Sequence, residues 1–204
     1  MKTVSAILLA AGESLRMGEV NKLELLVDGM PLLRRTAEML LASNLKKVVV
    51  VLGHEAEKMR AILKGLPLNF VENDAYRDGQ MTSVYKGLFS LSEVCDGVMI
   101  CLSDQPLLKT EDVNVLIEAF GKRSYGSILV PAFKGKRGNP IIFDYLHRQE
   151  ILNGERNLGC KKLIEKNPEE VNVFEMNNDN VVFDLDTPKQ YSAYTENINK
   201  ASAI

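Results

Sequence analysis

Residues 4–22 read VSAILLAAGESLRMGEVNK, and the change from its apolar first half to its glycine-bearing second half decides the fold. Val4 to Leu9 is a nearly unbroken apolar run of strand length, the pattern of a strand covered on both faces. The loop after it, Ala10 to Lys22, combines small residues, which let backbone N–H groups approach an anion, with the cations Arg16 and Lys22. That is equipment for a triphosphate. Five residues separate Gly12 from Gly18 and no Lys-Ser or Lys-Thr follows, so this is neither a Walker A loop nor a dinucleotide fingerprint. Taken alone, the glycines also suit a plain turn with both cations solvated. Their place directly after the first buried strand is where an α/β sheet binds phosphate.

Working outward, similar runs recur at Lys47 to Leu52, Leu68 to Val71, Gly97 to Leu102 and Ser127 to Val130. Between them, apolar residues return at three- and four-residue intervals in Leu32 to Ala42, Ala56 to Lys64, Thr82 to Leu91 and Glu111 to Phe120. Strands alternating with helices need crossover connections, so the class is α/β: a mostly parallel sheet with helices on both faces. Thr110 is expected to cap the helix of Glu111 to Phe120 and Gly121 to end it. From Gly135 the pattern loosens to a short strand near Asn139 to Phe143 and a last helix after Pro188. No linker or repeat interrupts the chain. One domain over 1–204 is expected, with a nucleotide-binding core at 1–134 and an acceptor-side elaboration at 135–204 on the same sheet.

Composition excludes several classes. The 46% hydrophobic content is too high for disorder, yet no apolar run is long enough to cross a bilayer, so no membrane association is expected. A net charge of -2, with scattered basic residues, gives no general attraction to nucleic acid. Cys95, Cys101 and Cys160 are odd in number and lack CxxC spacing, which argues against a disulfide framework or structural zinc and for a reducing, cytoplasmic setting. The amino-terminal run reads as a strand entering a loop in preference to a secretory signal. His54 and His147 lack metal-spaced partners, and no nucleophile and base pair stands out.

Two carboxylate segments remain. Val98 to Leu102 is a strand that delivers Ser103, Asp104, Gln105 and Pro106 to its carboxyl end, and Pro106 stops the strand there. Asp104 is thereby aimed at the ligand edge of the sheet. Asp184-Leu185-Asp186-Thr187-Pro188 precedes the last helix, with Thr187 suited to cap it and Pro188 to its first turn. Each is also an ordinary turn or helix start.

LLAAGESLRMG followed by Lys22 resembles the LAAGxSxRMGxxK signature of the MobA-like nucleotidyltransferases, and its Ala10-Ala11 form is similar to the molybdenum cofactor cytidylyltransferase branch. Leu102 to Pro106 resembles the family's Asp-x-Pro motif, whose aspartate binds magnesium, and Asp184 to Pro188 its DIDTP segment. Asp78 to Val84 resembles a Gly-Met-Ser-Ser-Ser-Leu segment, and Gly138-Asn139-Pro140 the Gly-x-Pro segment near the second substrate. Gly154 to Lys161 loosely resembles a Gly-Asp-x-Gly-Ala-Arg segment, with Glu155 for Asp and Lys161 where arginine is expected.

The resemblance implies a glycosyltransferase-A-like nucleotide-diphospho-sugar transferase topology. It implies nucleotide contacts from Leu9, Ala10, Ala11, Gly12, Gly79, Gln80, Ser83 and Asp104, and catalysis by Lys22, Arg16 and Asp104. It implies Mg2+ on Asp104 and Asp186, with Asp184 possible; magnesium takes a few carboxylates together with phosphate oxygens and water, which gives the two distant segments a shared purpose. Acceptor contacts would come from Gly138, Asn139, Pro140 and Lys161, with Lys136 and Arg137 able to meet a pterin phosphate. The implied reaction transfers CMP from CTP to the phosphate of molybdopterin, and a molybdenum hydroxylase is an implied partner. A GTP-using or sugar-phosphate transferase is one alternative. A non-catalytic nucleotide-binding accessory protein for hydroxylase maturation is another.

Overall fold

The structure, a computed structural model, describes residues 2–18, 20–92, 94–153 and 160–201. In chain order its elements are β1 (Val4–Ala10), β2 (Leu26–Val27), β3 (Met30–Pro31), α1 (Leu32–Leu41), β4 (Lys47–Leu52), α2 (Ala56–Ile62) and β5 (Asn69–Glu72). Then follow α3 (Gln80–Ser90), β6 (Gly97–Leu102), α4 (Thr110–Lys122), β7 (Ile128–Phe133), β8 (Lys136–Arg137) and β9 (Ile141–Asp144). The chain continues through α5 (His147–Asn153), α6 (Cys160–Lys166), β10 (Val171–Glu175) and α7 (Pro188–Ala201).

The main sheet runs β10-β7-β9-β6-β1-β4-β5, with β8 paired to β7. Only β8 and β9 oppose the common strand direction, so the sheet is mixed but mostly parallel. After β1 the chain steps to β4 and β5 on one side, then returns to β6 on the other. The order therefore reverses at β1, and a crevice opens at the carboxyl ends of β1 and β6.

All seven residues of β1 are buried. Val4, Ala6, Leu8 and Ala10 join a core with Leu33 and Leu40 of α1, Met59 of α2 and Leu116 and Phe120 of α4. Ile7 and Leu9 face the opposite core, with Val84 and Leu88 of α3, Ile151 of α5 and Leu163 of α6. This alternation is the strand's two-residue period at work, and each fully buried aliphatic side chain contributes about 1.5–3 kcal/mol. Helix α3 lies so close to β1 that a Cβ on Gly87 would stand 2.4 Å from Ile7 Cγ2.

Local details depart from expectation. Thr110 is the first residue of α4, not its cap, and its hydroxyl donates to the Met39 carbonyl of α1. The free N–H of Lys109 is taken by the Asp112 carboxylate at 3.0 Å, the reciprocal arm of a capping arrangement. Gly121 lies inside the helix, which runs on to Lys122. Strands β2, β3, β8 and β10 were not foreseen: three are two-residue ladders, and β10 is a half-exposed edge whose position rests on pairing with β7.

Candidate functional site

A cleft of about 380 Å³ opens where the strand order reverses. Leu9, Ala11, Gly12, Arg16 and Lys22 line one wall, Gln80 and Ser83 another, and Asp104, Asp184 and Asp186 a third. A Cβ placed on Gly12 would meet nothing within 4 Å, so that residue faces open space.

The glycine loop is held by its own polar groups. Ser14, in left-handed conformation at φ 54, donates from its hydroxyl to Asn21 Oδ1 at 3.2 Å and accepts from the Lys22 N–H at 3.2 Å. Asn21 is buried, accepts from the Leu23 N–H, and donates from Nδ2 to Glu55 Oε2 at 3.0 Å. These bonds fix the stem of Lys22 and aim its ammonium across the cleft. The N-terminal end of α3 is braced separately, since Asn73 donates to the Thr82 and Ser83 hydroxyls. Neither hydroxyl caps α3, which starts at Gln80 after Gly79 at φ 110.

Three carboxylates and two cations then meet. Lys22 Nζ lies 2.5 Å from Asp104 Oδ2 and 3.0 Å from Asp186 Oδ1, while Arg16 Nη1 lies 2.8 Å from Asp186 Oδ2. Burial opposes charge on Lys22, but pairing with Asp104 and then Asp186 more than offsets it, so its pKa stands above the ordinary 10.5. The acid segments are joined through backbone too: the Leu185 N–H donates to the Asp104 carbonyl at 2.8 Å. At the strand end the Ser103 hydroxyl donates to the Leu9 carbonyl at 2.6 Å, tying β6 to β1.

Asp184 lines the same cleft as Asp186, with Leu185 buried between them, in keeping with the two-residue period of an extended chain, in which residues two apart share a face. Burial first, then the charges of Asp104 and Asp186, raise the Asp184 pKa above 3.8. A raised carboxyl pKa stabilises the fold below the unfolded value, and that contribution is lost as pH rises through the folded value. Asp184→Asn is therefore expected to raise the metal-free Tm at about pH 8, the gain shrinking toward about pH 4. Thermal melts across that window check it, and a pH-independent difference would remove the repulsion.

Other expected contacts lie elsewhere. Ala10 turns its methyl into the core under α1, and neither it nor Gly79 is among the cleft-lining residues. Gly138, Asn139 and Pro140 also stand outside the lining: the Gly138 N–H bonds the Pro131 carbonyl and the Asn139 N–H bonds Val181. Lys136 donates its ammonium to the Val182 carbonyl at 3.0 Å. Gly154 to Gly159 and the side chain of Lys161 lie outside the described residues. Sequence reading missed Asn21, which carries no motif of its own, and Tyr76, an aromatic in the cleft wall before α3.

A nucleophile and base pairing, not anticipated, exists at the far end of the sheet. The Ser127 hydroxyl lies 2.6 Å from His147 Nε2, and His147 Nδ1 lies 3.0 Å from Glu150 Oε2. Ser127 precedes β7, so this relay sits at the amino ends of the parallel strands and ties α5 to the sheet. Burial pushes the Cys101 thiol up, consistent with an inert strand residue.

The description "MobA-like NTP transferase domain" matches residues 6–171 of the chain. The chain belongs to this family. Among curated relatives, this MobA-like chain is 26% identical over 193 residues to the nicotine blue oxidoreductase of Paenarthrobacter nicotinovorans, covering 92% of this chain and 94% of that one. It is 32% identical over 114 residues to a probable molybdenum cofactor guanylyltransferase of Natronomonas pharaonis, covering 56% and 55%. A homologue of Mycobacterium tuberculosis Rv0371c from Mycobacterium sp. strain JC1 superposes with a TM-score of 0.83 at 24% identity, over 97% of this chain and 98% of that one. Rv0371c solved with manganese gives a TM-score of 0.75 at 22% identity, over 95% and 98%. At these identities the structures establish the shared fold, the glycosyltransferase-A-like nucleotidyltransferase topology. No described helix of this MobA-like chain is long and apolar enough to cross a membrane.

Proposed function

We propose that the protein is a magnesium-dependent cytidylyltransferase that moves CMP from CTP to the phosphate of molybdopterin. The observation carrying this is the meeting of Lys22, Arg16, Asp104 and Asp186 beside Gly12 at the strand-reversal crevice. Cations next to an open glycine suit a triphosphate, and carboxylates next to them suit the counter-ion of that triphosphate. General nucleotidyl transfer agrees with the family; the choice of CTP and molybdopterin rests on Ala10-Ala11 and the motif order.

The carboxylates fit a divalent cation. Asp104 Oδ1 and Asp184 Oδ1 are buried and accept no hydrogen bond, so two oxygens of an acidic cluster lack donors. Among the described residues, no group of three or more His, Cys, Asp or Glu is arranged to hold a metal. Magnesium itself needs only one or two protein carboxylates, since it retains water and phosphate ligands. Asp104 and Asp186 would hold it, with Asp184 beside them; bound there, it neutralises triphosphate charge. Lys22 and Arg16 would engage the phosphates, with Gln80 and Ser83 toward the nucleoside. An acceptor phosphate oxygen attacks the α-phosphorus; the new P–O bond forms as the α,β bridge breaks, and pyrophosphate leaves. Alignment and charge placement supply the acceleration, with no covalent enzyme intermediate. A reducing cytoplasm and a molybdenum hydroxylase recipient complete the reading.

GTP is the second reading, favoured by the relative described as a guanylyltransferase. Purified protein incubated with molybdopterin, magnesium and each nucleoside triphosphate, with pyrophosphate followed, decides between them. Release with CTP is expected. Release with GTP alone moves the base assignment, nucleotide binding without release favours an accessory role, and neither binding nor release sinks the proposal.

A further inference from the structure

The segment carrying Asp184 and Asp186 has little regular structure, a single 3-10 turn at Asn180–Val182, yet its placement is heavily specified. The Val181 carbonyl accepts from the Asn139 N–H at 2.8 Å and from Gln105 Nε2 at 3.0 Å. A Cβ on Gly138 would stand 2.2 Å from that same oxygen, so only glycine permits the approach. Upstream, Asp112 accepts from the Asn178 and Asn180 side-chain amides at 2.9 and 2.8 Å. Downstream, Leu185 is bonded to Asp104.

Gln105 occupies a particular place in this arrangement. It is 1% exposed, lies next to Asp104 in the chain, and its amide reaches the loop that carries the other carboxylates. Its Oε1 accepts no hydrogen bond, so the donor side alone holds the side chain to the loop. We infer that Gln105 is a positioning residue: with the Gly138–Asn139 backbone it grips Val181 and so sets the spacing of Asp186 from Asp104. The inference rests on the proposal that these two carboxylates hold the cation. It also gives the Gly138-Asn139-Pro140 segment a task on the carboxylate loop in place of the acceptor contact expected from sequence.

The test is Mn2+ binding to the full chain in the presence of CTP, with free Mn2+ counted by electron paramagnetic resonance. Gln105→Met keeps the length and removes the donor; Gln105→Asn keeps the amide and withdraws it. Each is expected to weaken Mn2+ binding about tenfold, the usual effect of losing a group that orients a ligand. Saturating Mn2+ should restore most of kcat, a split that loss of folded protein would not produce. Unchanged Mn2+ affinity in whichever of the two variants folds overturns the inference. Asp186→Asn serves as the reference: if it abolishes Mn2+ binding while the Gln105 variants bind Mn2+ as tightly as wild type, only the positioning role falls. If Asp186→Asn also binds Mn2+ normally, the metal assignment itself falls.

Discussion

Asp104→Ala is expected to lower turnover by about two to three orders of magnitude while leaving the protein folded, the size of loss that follows removal of a strong electrostatic stabiliser. The fold should survive because Lys22 keeps Asp186 as its partner at 3.0 Å and the backbone bond from Leu185 to the Asp104 carbonyl does not involve the side chain. The deletion also removes Oδ1, a buried oxygen that accepts no hydrogen bond, which limits any loss of stability. Steady-state pyrophosphate release and thermal melts on the same preparation separate the two effects. Near-normal magnesium-dependent turnover would take Asp104 out of the mechanism.

Lys22→Met should lower turnover by about a hundredfold and, in the opposite direction, tighten Mn2+ binding measured without nucleotide. In the structure the Lys22 ammonium bridges Asp104 and Asp186, the same two groups assigned to the cation. With its pKa above 10.5 it remains charged throughout the physiological range and neutralises them. Methionine keeps the stem and removes the charge, so the carboxylates would face each other without a counter-ion. The variant should melt lower than wild type without metal and regain stability as Mn2+ is added. Weaker metal binding in the variant would show that the lysine supports the cation site instead of sharing its place.

Much of the scaffold was legible because it is built from strands buried on both faces. β1, β4 and β6 are apolar on successive residues and need no tertiary information to be recognised. The half-exposed β10 and the two-residue ladders exist through pairing, which one-dimensional pattern does not carry. At the site, Lys22, Arg16, Asp104 and Asp186 stood out as charges at ends of apolar segments, and the fold brings all four to one cleft. Asp184 lines it beside Asp186 because residues two apart along an extended segment share a face, a period that the spacing itself carries. Gly138 looked like a substrate contact and instead permits close packing on Val181, since a glycine reads alike for either purpose. Asn21 and Gln105 were silent because a buried amide declares itself only once its partners are in place.

The position of β9 has a consequence for how the chain reaches this state. β6 and β7 do not pair with each other; each pairs with β9, which enters between them from later in the chain. During synthesis, a nascent chain released only as far as Phe133 has nothing to dock β7 against the earlier strands, and it leaves one flank of β6 unpaired. Such an apolar flank invites association with other chains. Joining of β7 to the earlier strands, and with it cover for that flank of β6 on the ribosome, therefore waits for Ile141–Asp144 to emerge.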